Sequence, residues 1–234
     1  MTTNRKRVLV CAASCSDAET ALTIAEQLAR LWGIDLGGVF LQESAVLESA
    51  SLPSQRIVTA TGALMDRPDP QRLRHILDRE ARAFEAALSR FAERYSLHWR
   101  LEAGGGGTLQ TLWQVARGWD LLLIGQRLSR APAGPVLLIA PEGTGNPELS
   151  DLAQRLAEGL GTFVERLSPQ GYTTEDRQAL LDRINRTRAA LVLTDAAQGS
   201  FHDERALRDL VEAARCPVLV SQAGVQQNRT TEPR

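Results

Sequence analysis

The sequence predicts an α/β protein made of two parallel-sheet units in tandem, of which the second is shortened. Strand and helix signals alternate along the chain, which is typical of a parallel sheet covered by helices. Residues 136–161 align with residues 8–33 without a gap and share seven identical positions. With 43% hydrophobic residues among 234, the chain has enough apolar mass for a core. We therefore expect one unit at 1–131, a second at 132–225 and a flexible tail at 226–234.

In the first unit, the spacing of apolar residues predicts each element. Continuous apolar runs indicate buried strands, and apolar residues at helical spacing indicate amphipathic helices. Gly33 and Pro70 mark a helix end and a helix start. The predicted elements are a strand at 7–12, a helix at 17–32, a strand at 36–41, a long helix from residue 70, a strand at 97–102, a helix at 108–117 and a strand at 120–125.

The second unit repeats the opening strand and helix but lacks the long helix and the strand that follows it. Leu191–Asp195 is predicted as a strand and Glu204–Ala214 as a helix. A closing apolar strand runs from Pro217 to Ser221. Because an exposed apolar edge seeks a partner, we expect this strand to lie at the edge of a sheet, where it is the natural site for pairing between two copies. Pseudo-dimeric packing of the two units within one chain is the alternative.

Charge and composition exclude several classes of protein. The formal net charge is −1, which argues against a nucleic-acid or anionic-membrane surface. The longest aliphatic runs are far shorter than the roughly 20 residues that span a bilayer, and a cytoplasmic location is expected. Lys6 is the only lysine, so neither a Schiff base nor a P-loop lysine is available in the body of the chain.

Three segments carry a resemblance to a known family. They read RVLVCAASCSDAETALTIAEQLA at the start, LEAGGGGTLQTLWQVARGWDLLLIGQ in the middle and ARCPVLVS at the end. In their order along the chain and in their pattern of residue types, these segments resemble the universal stress protein family. The whole chain resembles two degenerate copies of that family's unit in tandem. The resemblance implies Rossmann-like, adenine nucleotide alpha hydrolase-like units of five parallel strands, frequent dimerisation and, in one branch of the family, ATP binding.

The chain departs from the ATP-binding branch at the ligand positions. Those members carry an aspartate at the end of the first strand, where this chain has Ala12-Ala13 in one copy and Pro141-Glu142 in the other. Their glycine-rich phosphate loop is also incomplete here. Gly125 is not followed by its second glycine, and the second copy keeps only Gly199 before Ser200. The leading hypothesis is therefore a non-enzymatic protein with eroded ATP sites and no cofactor, which acts in stress-related regulation or in association with a protein partner.

Two alternatives remain. The first is a regulatory protein that retains ATP or another adenine nucleotide in one crevice. Its candidate residues are Ala12, Ser14, Ser16, Val39 and Gly125 in the first copy, and Asp195, Gly199 and Ser200 in the second. Val39 is included because family members hold adenine through the backbone of the second strand. The other alternative is a nucleotide-dependent transferase, but its HxGH or SGGxDS motif is missing.

Other candidate sites have simpler structural explanations. The glycine run 104–107 is expected to be a turn rather than an anion nest. Ser16 or Asp17 is expected to cap the helix predicted at 17–32, and Cys15 at the start of that helix could have a lowered pKa. The three histidines have neither metal-ligand spacing nor a nucleophile motif. The irregular stretch 44–68 could be a lid, a docking loop or disorder.

Overall fold

The computed structural model describes residues 5–41, 57–58, 64–65, 69–102, 109–126, 134–141, 146–169, 173–197 and 200–221. Its strands are β1 (Lys6–Ala12), β2 (Ile34–Phe40), β3 (Ile57–Val58), β4 (Leu64–Met65), β5 (Trp99–Leu101), β6 (Leu121–Ile124), β7 (Val136–Ile139), β8 (Val164–Leu167), β9 (Leu191–Asp195) and β10 (Val218–Ser221). Its helices are α1 (Cys15–Leu31), α2 (Pro70–Tyr95), α3 (Leu109–Ala116), α4 (Pro147–Gly159), α5 (Thr174–Arg186) and α6 (Glu204–Ala214).

Eight of the strands form one continuous sheet in the order β5-β2-β1-β6-β10-β9-β7-β8. All neighbours pair in parallel except β6 and β10, which are antiparallel. The sheet therefore consists of two parallel blocks of four strands that run in opposite directions. This is an α/β, Rossmann-like architecture, as the sequence predicts, but the two halves share one sheet instead of forming two.

The prediction that the closing strand lies at a sheet edge is wrong. β10 lies in the interior, with β6 on one side and β9 on the other. Pro217 and Ser221 are both buried. A homodimer through this strand is therefore not available, because both of its backbone edges are already paired within the chain.

The helices cover both faces of the sheet. We call the face covered by α1, α2 and α4 face A, and the face covered by α3, α5 and α6 face B. Side chains alternate between the faces along each strand. In β1, for example, Val8 and Val10 belong to the core on face A, and Leu9 and Cys11 belong to the core on face B.

Local capping explains where several helices begin and end. Asp69 caps α2, whose first residue is Pro70, and Asp203 caps α6. Ser96 adopts a left-handed conformation with φ of 52° after the end of α2. A reciprocal pair between Thr173 and an acidic residue in the first turn opens α5.

The structure also contains elements that the sequence analysis did not identify. β8 and α5 follow α4 in the second half. Within the stretch 44–68, β3 and β4 pair as antiparallel strands of two residues each. The remainder of that stretch, the glycine run 104–107, the unit boundary near 131 and the tail 226–234 lie outside the described residues.

Candidate functional site

Two crevices are expected where the strand order reverses, beyond the carboxyl ends of the strands. The first crevice lies at the ends of β1 and β6. The chain passes from β1 to β2 and β5 on one side of β1 and then returns to β6 on its other side, so the strand order reverses there. The second crevice lies at the ends of β7 and β9. Because the two blocks run in opposite directions, their carboxyl ends point in opposite directions, and the two crevices lie at opposite ends of the strands.

In the first crevice, α1 begins immediately after β1, and Ser14 is its N-cap. Ser14 Oγ accepts a hydrogen bond from the backbone N–H of Asp17 at 3.1 Å and donates one to Asp17 Oδ2 at 2.7 Å. The expectation that Ser16 or Asp17 caps the helix is therefore wrong. Ser16 is the second residue of α1, and its side chain is exposed. The role of Ser14 is accounted for by this cap.

A carboxylate from another helix occupies the start of α1. Glu80 Oε2 of α2 accepts a hydrogen bond from the backbone N–H of Cys15 at 2.9 Å. The N-terminus of a helix attracts anions because its first N–H groups lack partners in the helix and the helix dipole is positive there. Glu80 thus lies where the phosphate of a ligand would be expected in this architecture. The sequence analysis did not identify Glu80.

The glycine of the first crevice is explained by packing. A Cβ atom at Gly125 would lie 2.1 Å from the carbonyl oxygen of Asp17, so only glycine fits against the first turn of α1. Thr20 Oγ1 lies 2.8 Å from the carbonyl oxygens of both Asp17 and Gln126. The Gln126 side chain in turn donates to the carbonyl oxygen of Val211 in α6 at 2.6 Å. The chain after β6 is thereby bound to α1 and α6.

The other predicted residues of the first copy are core residues. Ala12 and Val39 are each 1% exposed, and Val39 pairs with Cys11 in the sheet. Beside them, the ring of Phe40 packs on that of Phe84, with centroids 5.7 Å apart. The structure therefore brings Ala12, Ser14, Val39 and Gly125 to one end of the β1–β2–β6 block. Packing explains Ala12, Val39 and Gly125, and helix capping explains Ser14.

In the second crevice, Asp195 ends β9 and contacts the start of α4. Asp195 Oδ2 accepts a hydrogen bond from Asn146 Nδ2 at 3.0 Å, and Asp195 Oδ1 accepts one from the backbone N–H of Ala197 at 2.8 Å. Asn146 is the N-cap of α4 and accepts from the N–H of Glu148. Asp195 is 5% exposed, and Asn146 is half-buried.

Two buried residues with hydroxyl groups lie close to Asp195 in the sequence. Ser200 is 9% exposed, and Gly199 lies outside the described residues. Thr194 is fully buried, and its hydroxyl has no hydrogen-bond partner. Buried hydroxyl groups are normally satisfied, so Thr194 is unusual. It lies one residue before Asp195 and therefore on the opposite side of the strand, on face B.

Charged groups of the first half border the second crevice. Lys6 Nζ lies 3.7 Å from Glu148 Oε2 and 6.0 Å from the centre of the Trp32 ring. Arg7 forms a two-pronged contact with Asp120, at 2.9 Å and 3.4 Å, which raises the pKa of the arginine. A cavity of about 20 Å³ is lined by Lys6, Trp32, Asp120 and residues at the start of α4. Its volume is enough for about one water molecule.

A larger cavity of about 360 Å³ lies away from both crevices. It is a shallow surface along the first turns of α2. The described residues that line it are Asp69, Gln71, Arg72, His75, Ile76 and Arg79. All belong to one helix and its cap, so they do not form the convergent set of polar groups that is typical of a ligand site.

The cysteines do not have the environment of reactive thiols. Desolvation, together with Glu19 and Glu80, raises the pKa of Cys15, which is opposite to the lowering that a helix start can cause. Burial raises the pKa of Cys11 and raises that of Cys216 to about 12. Both are buried in the core on face B, where thiols behave as small apolar groups.

Features of metal sites and membrane spans are not present in the described segments. Among those residues, no group of three or more His, Cys, Asp or Glu side chains is placed to hold a metal ion. No helix within them combines the length and apolar character needed to cross a bilayer.

Comparisons with known proteins leave the family open. No protein-family model matches the chain, and no curated protein matches it. Among solved structures, the chain is similar to lysine monooxygenase NbtG of Nocardia farcinica, described for the unprecedented conformation of its NADPH domain. The identity is 10%, the alignment covers 93% of this chain and 72% of that chain, and the TM-score is 0.17. A likeness this weak supports no statement about fold or function, and the Rossmann-like assignment depends on the strand order itself.

Proposed function

We propose that this chain is a non-enzymatic, cytoplasmic protein of the universal-stress type, in which the ATP sites are eroded and which acts by association in stress-related regulation. The observation that carries the proposal is the hydrogen bond from the Cys15 N–H to the Glu80 carboxylate. It supports the loss of ligand binding because the chain supplies its own anion at the start of α1.

An incoming phosphate would have to displace Glu80. A hydrogen bond to a charged group contributes about 1.5–3 kcal/mol, so its loss alone would weaken binding by about 10- to 150-fold. Asp17 and Glu19 add further negative charge in the same turn of α1. Repulsion between these carboxylates and a phosphate would weaken binding further.

The second crevice provides similar support. α4 begins with Pro147, which has no N–H to donate to a phosphate. The carboxylate of Asp195 is held beside that helix start by Asn146. A phosphate there would meet one donor fewer and a nearly buried negative charge.

A second candidate function is a regulatory protein that retains an adenine nucleotide in the second crevice. The buried Thr194 hydroxyl favours it, because a buried polar group without a partner calls for an explanation, and a ligand beyond the end of β9 would be one. Asp195 and Ser200 would then contact the ligand from the loop after β9.

Native mass spectrometry of the purified full-length protein tests both candidates. The leading proposal predicts masses that are whole multiples of the chain mass, 25.6 kDa, with no added nucleotide. A stoichiometric adenine nucleotide released on unfolding would contradict it. If release is abolished in Asp195→Asn but not in Glu80→Gln, the second candidate is correct and the ligand lies in the second crevice.

A further inference from the structure

Within the described part of the chain, each of the two outer strands of the sheet has one backbone edge that pairs with no other strand. β5 is bonded to β2 through the His98 carbonyl and the Glu102 N–H. Residues 99 and 101 therefore direct their N–H and C=O groups outward. β8 is bonded to β7 through the carbonyls of Phe163 and Leu167, so residues 164 and 166 direct theirs outward. Among the described residues, no strand pairs with either outer edge.

Exposed apolar side chains are concentrated at these edges. Three large hydrophobic residues of the described chain are exposed, and two of them lie here: Leu101 in β5 is 46% exposed, and Phe163, immediately before β8, is 64% exposed. An edge strand with exposed apolar side chains is a template for pairing with another chain.

The side chains of the two edges are complementary on each face, with opposite charges on face B and an aromatic ring and a cation on face A. Arg100 of β5 lies on face B, over the Trp119 ring at 5.0 Å. Glu165 of β8 also lies on face B, where Arg183 of α5 binds it at 3.0 Å. On face A, β5 has Trp99 and β8 has Arg166, whose guanidinium donates a hydrogen bond to Ser150 of α4.

We propose that β5 of one copy pairs with β8 of a second copy in antiparallel orientation. β5 and β8 lie at the two outer edges of the sheet and run in opposite directions. When two copies are placed side by side with face A of both on the same side, β5 of one copy therefore lies antiparallel to β8 of the other. If Arg100 lies opposite Glu165 of the second copy, Leu101 lies opposite Val164 and Trp99 opposite Arg166. The outward backbone groups then face one another, and each cross-strand pair is favourable.

Pairing of β8 with itself is disfavoured. A two-fold antiparallel pairing of β8 with itself, centred on the middle of the strand, places Glu165 opposite Glu165 or Arg166 opposite Arg166. Like charges in directly opposite positions are destabilising. The proposed pairing of β5 with β8 is head to tail, which yields a ring or an open chain of copies. It does not depend on the occupancy of either crevice.

Sedimentation velocity of the full-length protein over a concentration series tests the proposal. We expect the average mass of the wild type to rise above 25.6 kDa with concentration. Arg100→Glu and Glu165→Arg should each weaken association by about tenfold, because an attractive pair becomes repulsive. An equimolar mixture of the two variants should associate again, since opposite charges then meet at every contact. Arg208→Glu, which removes an exposed ion pair from α6, is the matched control and should behave like the wild type.

A backbone substitution provides a test that leaves the charges unchanged. Leu101→Pro removes an outward N–H, so it should block association while the bonds to β2 remain. Circular dichroism verifies that each variant is folded. A wild type of constant monomer mass, a mixture no heavier than its components, or a folded Leu101→Pro variant that associates like the wild type would each overturn the proposal.

Discussion

Replacing Leu219 with alanine is expected to lower the free energy of unfolding by about 2–5 kcal/mol. Leu219 is fully buried in β10, between Leu123 of β6 and Leu193 of β9. It lies where the two halves of the sheet join, so the cavity left by the three missing carbon atoms cannot close without movement of both halves. Urea unfolding followed by circular dichroism measures the change.

Ile76→Ala is the matched control for Leu219→Ala because it also removes three carbon atoms. Ile76 is 41% exposed on α2, so its replacement should change the free energy of unfolding by less than about 1 kcal/mol. Equal effects at the two positions would mean that β10 is not in the interior of the sheet.

Gly134→Ala should be similarly destabilising, by about 3 kcal/mol or more. Gly134 precedes β7 with φ of +132°, and a Cβ atom there would lie 1.6 Å from the carbonyl oxygen of Arg188. The contact is with backbone, so no side-chain rotation relieves it. The Gly134 carbonyl also accepts a hydrogen bond from Thr162 Oγ1 at 2.7 Å, so any shift of the turn strains a second segment.

Gly161→Ala separates the cost of the backbone conformation from the cost of the clash. Gly161 also has a positive φ, +67°, but no atom lies within 4 Å of the position of its added Cβ. We expect a loss of about 1–2 kcal/mol, from the left-handed conformation alone. If the two glycine variants unfold at the same urea concentration, the close approach of Arg188 is not present in solution.

The sequence predicts the fold class and most elements because the signals for these are local. Pro70 after Asp69 predicts the start of α2, and α6 has the predicted bounds, Glu204–Ala214. Helix α5 was not identified because only Leu180, Leu181 and Ile184 are buried along its 13 residues. The capping signal at Thr173 was the available indication of this helix.

The position of β10 depends on long-range pairing, which no local pattern specifies. One local signal was nevertheless present: Val218, Leu219 and Val220 are consecutive apolar residues, without the alternation of a half-exposed strand, and the structure buries all of them. Such continuous burial is typical of a strand covered on both faces, as interior strands are. An apolar run at the end of a chain therefore indicates an interior strand more than an exposed edge.

The role of Glu80, whose carboxylate lies at the start of α1, could be recognised from the sequence only in part. Glu80 continues the inward stripe of α2 that contains Phe84 and Leu88, four residues apart. An acidic residue at an inward position of an apolar stripe indicates a buried partner. The identity of that partner, the backbone N–H of Cys15, depends on the packing of α2 against α1 and is not readable from spacing.

The amide resonances of Cys15 and Ser16, followed during titration with magnesium-ATP, test most directly whether Glu80 takes the place of a ligand. The wild type should show no saturable shift at millimolar nucleotide. Glu80→Ala should move the Cys15 resonance before any ligand is added, because its N–H loses an acceptor. Glu85→Ala, an exposed change on the same helix, should leave it in place. Saturation at micromolar nucleotide in the wild type, or a Cys15 amide indifferent to Glu80→Ala, would contradict the self-occupied crevice.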